Sequence, residues 1–221
     1  MGLSTSERGN KTYLSILQGK FALKVTPGTE GAVTRVNKTG ETVYERLYDH
    51  LDGQIVDFNI NDGNYGKELR LIIESGLDKF NLSIPVESKY FDSFALRLGN
   101  INLNKEVKIS PYAFSVFEDG KEKKKVGMNF YQNGQKIEYF YTKDDPKDKP
   151  MPPKGKNGAQ LEDSKWKIFK LQERDWLCDM ITEKASSLNR PAPKAEVDGN
   201  DVMFPKKAQG KSESTIGDLP F

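Results

Sequence analysis

Apolar and polar residues alternate along much of 12–142, the period of strands with one buried face. Lys20-Phe21-Ala22-Leu23-Lys24-Val25 carries that period clearly. Residues 33–36 and 41–46 flank Asn37-Lys38-Thr39-Gly40, and residues 54–60 and 67–74 flank Asn61-Asp62-Gly63-Asn64-Tyr65-Gly66. Each pair predicts a hairpin around a glycine turn. A further strand is predicted over 80–86, with Pro85 marking its end or an edge. The period then changes. Tyr90, Phe91, Phe94, Ala95 and Leu98 recur at helical spacing, which predicts a helix over 87–98 closed by Gly99-Asn100. Strands resume over 107–118, 125–132 and 136–141, joined by the turn sequences Glu118-Asp119-Gly120-Lys121 and Asn133-Gly134.

Between 143 and 163 the pattern is lost in a run of Pro, Lys and Asp, which predicts a long loop or a linker. Residues 166–171 alternate as a strand does, and 172–185 place Trp176, Leu177, Met180 and Ile181 on one helical face. That segment is too short to fold alone, so it is expected to pack on the β-rich body. Residues 1–11 and 186–221 are polar or rich in Pro, Lys and Gly and read as a disordered start and tail. The expected globular region is therefore 12–185.

Composition sharpens this picture. Only 36% of the 221 residues are hydrophobic and 30% are charged, so a core forms only if part of the chain stays outside it. Lys+Arg 34 and Asp+Glu 32 nearly cancel, leaving +2, and any surface for a polyanion must arise from segregated charge. One cysteine, Cys178, excludes an intramolecular disulfide, and with one histidine, His50, there is no Cys/His zinc cluster. No stretch has the length and apolarity of a membrane span, and a reducing, cytoplasmic setting is expected, with no cofactor.

Catalytic chemistry has few carriers. His50 has no serine or cysteine motif to make a triad, and Cys178 sits among apolar helical positions, as a small core residue would. No Gly-x-x-x-x-Gly-Lys-Ser/Thr loop is present. Asp144, Asp145 and Asp148 are interleaved with lysines and prolines, the composition of a solvated linker. Binding of single-stranded nucleic acid needs aromatic rings for bases and Lys or Arg for phosphates, and these are plentiful. Arg35, Lys38, Tyr44 and Arg46 lie in the first hairpin. Tyr65 is at the tip of the second, followed by Lys67 and Arg70, whose odd and even positions put them on opposite sheet faces. Lys121, Lys123, Lys124 and Lys125 form a basic turn after the helix. Phe58, Phe114, Val116, Met128, Phe130 and Tyr139 alternate as core residues do and are expected mostly inside.

Strands, one helix, then strands is the order of an OB-fold, a five-stranded barrel with its helix between the third and fourth strands. The strands from Gln54, Lys67 and Phe80 would precede the helix and those from Val107 and Lys125 follow it. Leu51-Asp52-Gly53-Gln54-Ile55, with glycine where a first strand must coil, resembles OB domains as well. The expected fold is mainly β: an OB-like five-stranded barrel with an extra N-terminal hairpin, one helix between strands, a C-terminal helix and a disordered tail. Periodicity does not fix pairing, so a β-sandwich stays open.

The final residues, Ile216-Gly217-Asp218-Leu219-Pro220-Phe221, join an acid to an apolar Leu-Pro-Phe end. This ending resembles the C-terminal tip of bacterial and phage single-stranded DNA-binding proteins. The resemblance implies a protein of divergent phage type that coats single-stranded DNA without sequence choice. It further implies that Asp218, Leu219, Pro220 and Phe221 recruit replication, recombination or repair proteins. The tips of that family follow several acidic residues, whereas Lys206, Lys207 and Lys211 stand upstream here. Competing classes are a β-rich virion structural or assembly protein and an OB-containing accessory factor that binds only protein.

Overall fold

Buried side chains fall on every second position of long strands, and that alternation builds one curled sheet. The computed structural model describes residues 11–37, 39–63, 66–152 and 162–188. Ten strands occur in chain order: β1 (Lys11–Leu17), β2 (Lys20–Lys24), β3 (Val33–Val36), β4 (Thr42–Tyr48), β5 (Leu51–Gly63), β6 (Gly66–Ser75), β7 (Asp78–Pro85), β8 (Val107–Glu118), β9 (Lys121–Gln132) and β10 (Gln135–Lys136). Helix α1 (Lys89–Ala95) lies between β7 and β8, and α2 (Asp163–Leu188) follows β10. Within the sheet the order is β10-β9-β8-β5-β6-β7-β1-β2-β4-β3, antiparallel except where β1 runs parallel to β7.

Leu69, Leu71 and Ile73 of β6, Leu82 and Ile84 of β7, and Met128 and Phe130 of β9 point to one buried face. Each such side chain contributes about 1.5 to 3 kcal/mol on removal from water. Helix α1 plugs the curl. Ser88 caps it, accepting from the Phe91 amide at 3.2 Å, and Phe91, Phe94 and Ala95 are buried. The Phe94 ring lies 5.7 Å from Phe58 on β5 and 6.0 Å from Phe130 on β9, so one side chain ties two strands across the curl. The curl needs a strand that turns a corner, and β5 does so. A Cβ on Gly53 would lie 2.5 Å from the Glu74 carbonyl oxygen, and the ladder slips between Ile55 and Asp57 as at a β-bulge.

The expected five-stranded barrel is not closed, because the outer edge of β7 is taken by β1. The β1–β2 turn instead approaches β8. Gly19 packs so closely on the backbone of Tyr112 and Ala113 that a Cβ would collide, and its φ of 80° suits glycine alone. Four further expectations change. Residues 166–171 belong to α2: Phe169 is buried while Leu171, which would share its face in a strand, is exposed. The strand expected over 136–141 pairs only at Gln135 and Lys136. Beyond them, the Phe140 and Tyr141 amides donate to the Leu96 carbonyl at the end of α1. Helix α1 itself stops at Leu96, before Gly99, and α2 continues to Leu188, past the expected domain end. Residues 143–152 fold back on α2, where Lys149 meets Glu173 at 2.6 Å. Among the described residues no helix is long and apolar enough to cross a membrane.

Arg97, only 3% exposed, fastens the segment after β10 to α1. Its Nε donates to the Ile137 carbonyl at 2.9 Å, its Nη1 to the Ser93 carbonyl at 3.0 Å, and the guanidinium sits 3.7 Å from the Tyr139 ring centroid. Hydrogen bonds from charged donors are worth about 1.5 to 3 kcal/mol each. Replacing Arg97 by Met is expected to cost about 2 to 4 kcal/mol, read as a fall of roughly 5 to 15 °C in Tm. An unchanged Tm would contradict a fastening role.

Candidate nucleic-acid interface

Strands β8 and β9 are buried only at their roots. β8 pairs with β5 through Val107, Lys108 and Ile109, and with β9 from Lys108 to Glu118. Pro111 stands where the ladder to β5 has ended, as suits a residue without an N–H. Beyond it the hairpin is a two-stranded ribbon turning at Asp119-Gly120, both with positive φ. Cross-strand register assigns its faces. Tyr112, Phe114, Val116 and Glu118 share one face with Gly127, Lys125, Lys123 and Lys121, while Ser115 and Phe117 share the other with Lys124 and Glu122.

Aromatic and basic groups meet on this ribbon. Phe114 is 51% exposed opposite Lys125, with its ring 5.6 Å from Tyr112, and Phe117 is 79% exposed. Lys125 lies 2.9 Å and Lys123 3.3 Å from Glu118, and Lys123 is also 3.4 Å from Asp119. Hydrogen bonds from Lys125 and then Lys123 hold the Glu118 carboxyl below its ordinary pKa. Lys121 and Lys124 pair with no carboxylate among the described residues. Four lysines thus face three carboxylates, a modestly cationic strip.

Other sequence-derived candidates do not join it. Arg35 is spent on Glu45, held by Nε at 2.6 Å and Nη2 at 2.8 Å. It shares a face with Val43 and Glu45, opposite Tyr44 and the exposed Arg46. Arg70 gives Nε and Nη2 to Oδ1 of the buried Asn81, whose amide nitrogen has no partner among the described residues. Its face of β5–β6–β7 carries Asp57, Asn59, Glu68 and Ser83, more acidic than basic. Lys67 is exposed at the start of β6, on the face opposite Arg70. Lys38, Tyr65, Asp218, Leu219, Pro220 and Phe221 lie outside the described residues.

Of the residues expected inside, Phe58, Met128 and Phe130 are buried, whereas Phe114 and Tyr139 are exposed. A signal was available: five residues of β9, Lys121 to Lys125, contain no apolar side chain, so no strand paired with them can lie in the core. His50 is exposed, 3.4 Å from Asp52, and Cys178 is buried, its thiol pushed up by desolvation. Asp145 pairs with Lys147 at 2.8 Å, and among the described residues no cluster of His, Cys, Asp or Glu could hold a metal.

At the ribbon's root, two carboxylates are each held between two cations. Asp92 lies 3.0 Å from Lys89 and 3.2 Å from Arg174, and Glu173 lies 2.6 Å from both Lys149 and Lys170. No protein-family model, curated protein or solved structure matches this chain.

Burial pushes the Glu173 carboxyl up, but the two lysines outweigh it and its pKa is lowered. A lowered folded-state pKa gives stability that is present above the unfolded value, about 4.3, and is lost as pH falls through the folded value. Glu173→Gln is therefore expected to lower stability at pH 7 and to flatten the loss below about pH 4.3, followed by urea unfolding across pH. A pH dependence identical to the parent's would contradict the pairing.

Proposed function

We propose that the protein binds single-stranded DNA without sequence choice, as a stoichiometric coat and not as an enzyme. The observation that carries this reading is the projecting ribbon, where exposed Phe114 shares one face with Lys121, Lys123 and Lys125, and exposed Phe117 shares the other with Lys124. Bases stack on aromatic faces whatever their identity, and lysines meet phosphates as point charges. A strand of DNA thus finds both halves of its chemistry on one element.

The strand order supports it. Counted from β5, the run β9-β8-β5-β6-β7 with α1 before β8 is that of an OB barrel parted between its third and fifth strands. The ribbon is then the hairpin between the fourth and fifth barrel strands, one of two loops through which OB domains hold oligonucleotides. The other is the β5–β6 turn that carries Tyr65. On the same reading residues 218–221 recruit replication or recombination proteins, as their likeness to the tips of single-stranded DNA-binding proteins implies.

Titration with oligo(dT) tests the proposal. Binding is expected to exceed that to duplex and to weaken linearly in log salt as counterions are released. Changing Lys123, Lys124 and Lys125 together to Ala should flatten that slope by about 2, at about 0.7 per phosphate on single strands. Phe114→Ala should cost about 1 to 3 kcal/mol of affinity if one base stacks there. No binding, or equal binding to duplex, would overturn the proposal in favour of a structural or protein-binding role. An unchanged slope would remove the ribbon from the site.

A further inference from the structure

The apolar-basic strip does not end with the ribbon. Tyr112, nearest its root, turns its hydroxyl over Gly127 toward the Ser93 hydroxyl of α1. From there a cleft of about 230 Å³ opens between α1, the root of β9 and α2, lined among others by Lys89, Asp92, Tyr112, Tyr139, Lys170 and Glu173. Tyr139 is exposed on this side, while Arg97 covers one face of its ring at 3.7 Å.

The cleft's own lining sets Lys89 and Lys170 against Asp92 and Glu173, and a second cation reaches each carboxylate from outside the cleft. Asp92 and Glu173 are each shared by two cations, so Lys89, Arg174, Lys149 and Lys170 outnumber their carboxylates two to one. Lys89 and Lys170 stay more than half exposed, their ammonium groups in reach of a ligand. An anion that draws Lys89 or Lys170 away leaves Asp92 still paired with Arg174 and Glu173 still paired with Lys149. By contrast, the outer face of β5–β6–β7 presents Asp57 and Glu68, its Glu74 is paired with Lys79, and its Arg70 is committed to Asn81.

We propose that a bound strand runs from the ribbon past Tyr112 into the cleft between α1 and α2, where a base stacks on Tyr139 and the flanking phosphates meet Lys89 and Lys170. This path departs from the β5–β6–β7 face, and it rests on the single-strand-binding reading. It makes α2, an element outside the five barrel strands, part of the binding surface. It also predicts that a ligand long enough to cover both ribbon and cleft binds more tightly than one that covers the ribbon alone.

The test compares Lys89→Gln/Lys170→Gln with the parent chain on a length series of oligo(dT). With long oligomers the double variant should weaken binding several-fold at low salt and flatten the log–log salt slope by about 1.4, at about 0.7 per phosphate. With the shortest oligomers that still bind, it should match the parent. Lys79→Gln, on the β6–β7 side, serves as the control and should leave the slope unchanged. Separately, photocrosslinking of the parent chain to 5-iodouracil-substituted oligo(dT) should give adducts at Tyr139 as well as on the ribbon, a readout that needs no variant to fold. Crosslinks confined to the ribbon, or an unchanged slope in the double variant, would overturn the cleft path while leaving the ribbon reading in place. Failure of the parent chain to bind oligo(dT) at all would remove both.

Discussion

Phe94 decides how far the core reaches. Its ring contacts Phe58 and Phe130 at once, so α1 sits inside the curl and holds β5 and β9 at a fixed separation. Along β8 and β9 the segments near this wedge are buried, Ile109, Met128 and Phe130 among them, while Phe114 and Phe117 lie beyond and are exposed. The end of the core is thus also the start of the ribbon. Aromatic pairs of this kind add about 0.5 to 1.5 kcal/mol beyond their buried area, and here they also set the geometry of the exposed arm.

The arm is balanced more finely than its lysine content suggests. Glu118 and Asp119 neutralise much of Lys123 and Lys125, while Lys121 and Lys124 of the arm pair with no carboxylate among the described residues. Phosphates must compete with Glu118 for two of the four lysines. Affinity on such a surface leans on stacking as much as on charge, which suits binding that ignores sequence. The same sharing of carboxylates recurs at the root of the arm around Asp92 and Glu173.

Local patterns were legible in the residues, and long-range ones were not. The hairpins at Gly40 and at Gly63–Gly66, the corner at Gly53 and the helix around Phe91 and Phe94 follow from turn residues and periodicity. The parallel pairing of β1 with β7 does not, because periodicity does not say which strands pair, and that pairing leaves the barrel open. Residues 166–171 misled because Trp166-Lys167-Ile168 and Phe169-Lys170-Leu171 each place a lysine between apolar residues, as a strand does. Only the buried Phe169, one helical turn from Trp166 and with its ring centroid 5.8 Å from it, discriminates. For the candidate site, the lysines of β9 were readable as a basic segment. The exposure of Phe114 was not, since it required knowing that its partner is Lys125. Arg97 gave no sequence signal, for its partners are two carbonyls and a ring brought together by the fold.

The most direct test is a lysine-modification footprint, with the accessibility of each amine measured by mass spectrometry in the free protein and with saturating oligo(dT). Shielding is expected at Lys121, Lys123, Lys124 and Lys125, with Lys20 and Lys79 reacting as in the free protein. Shielding at Lys79 while the β9 lysines stay reactive would contradict the account.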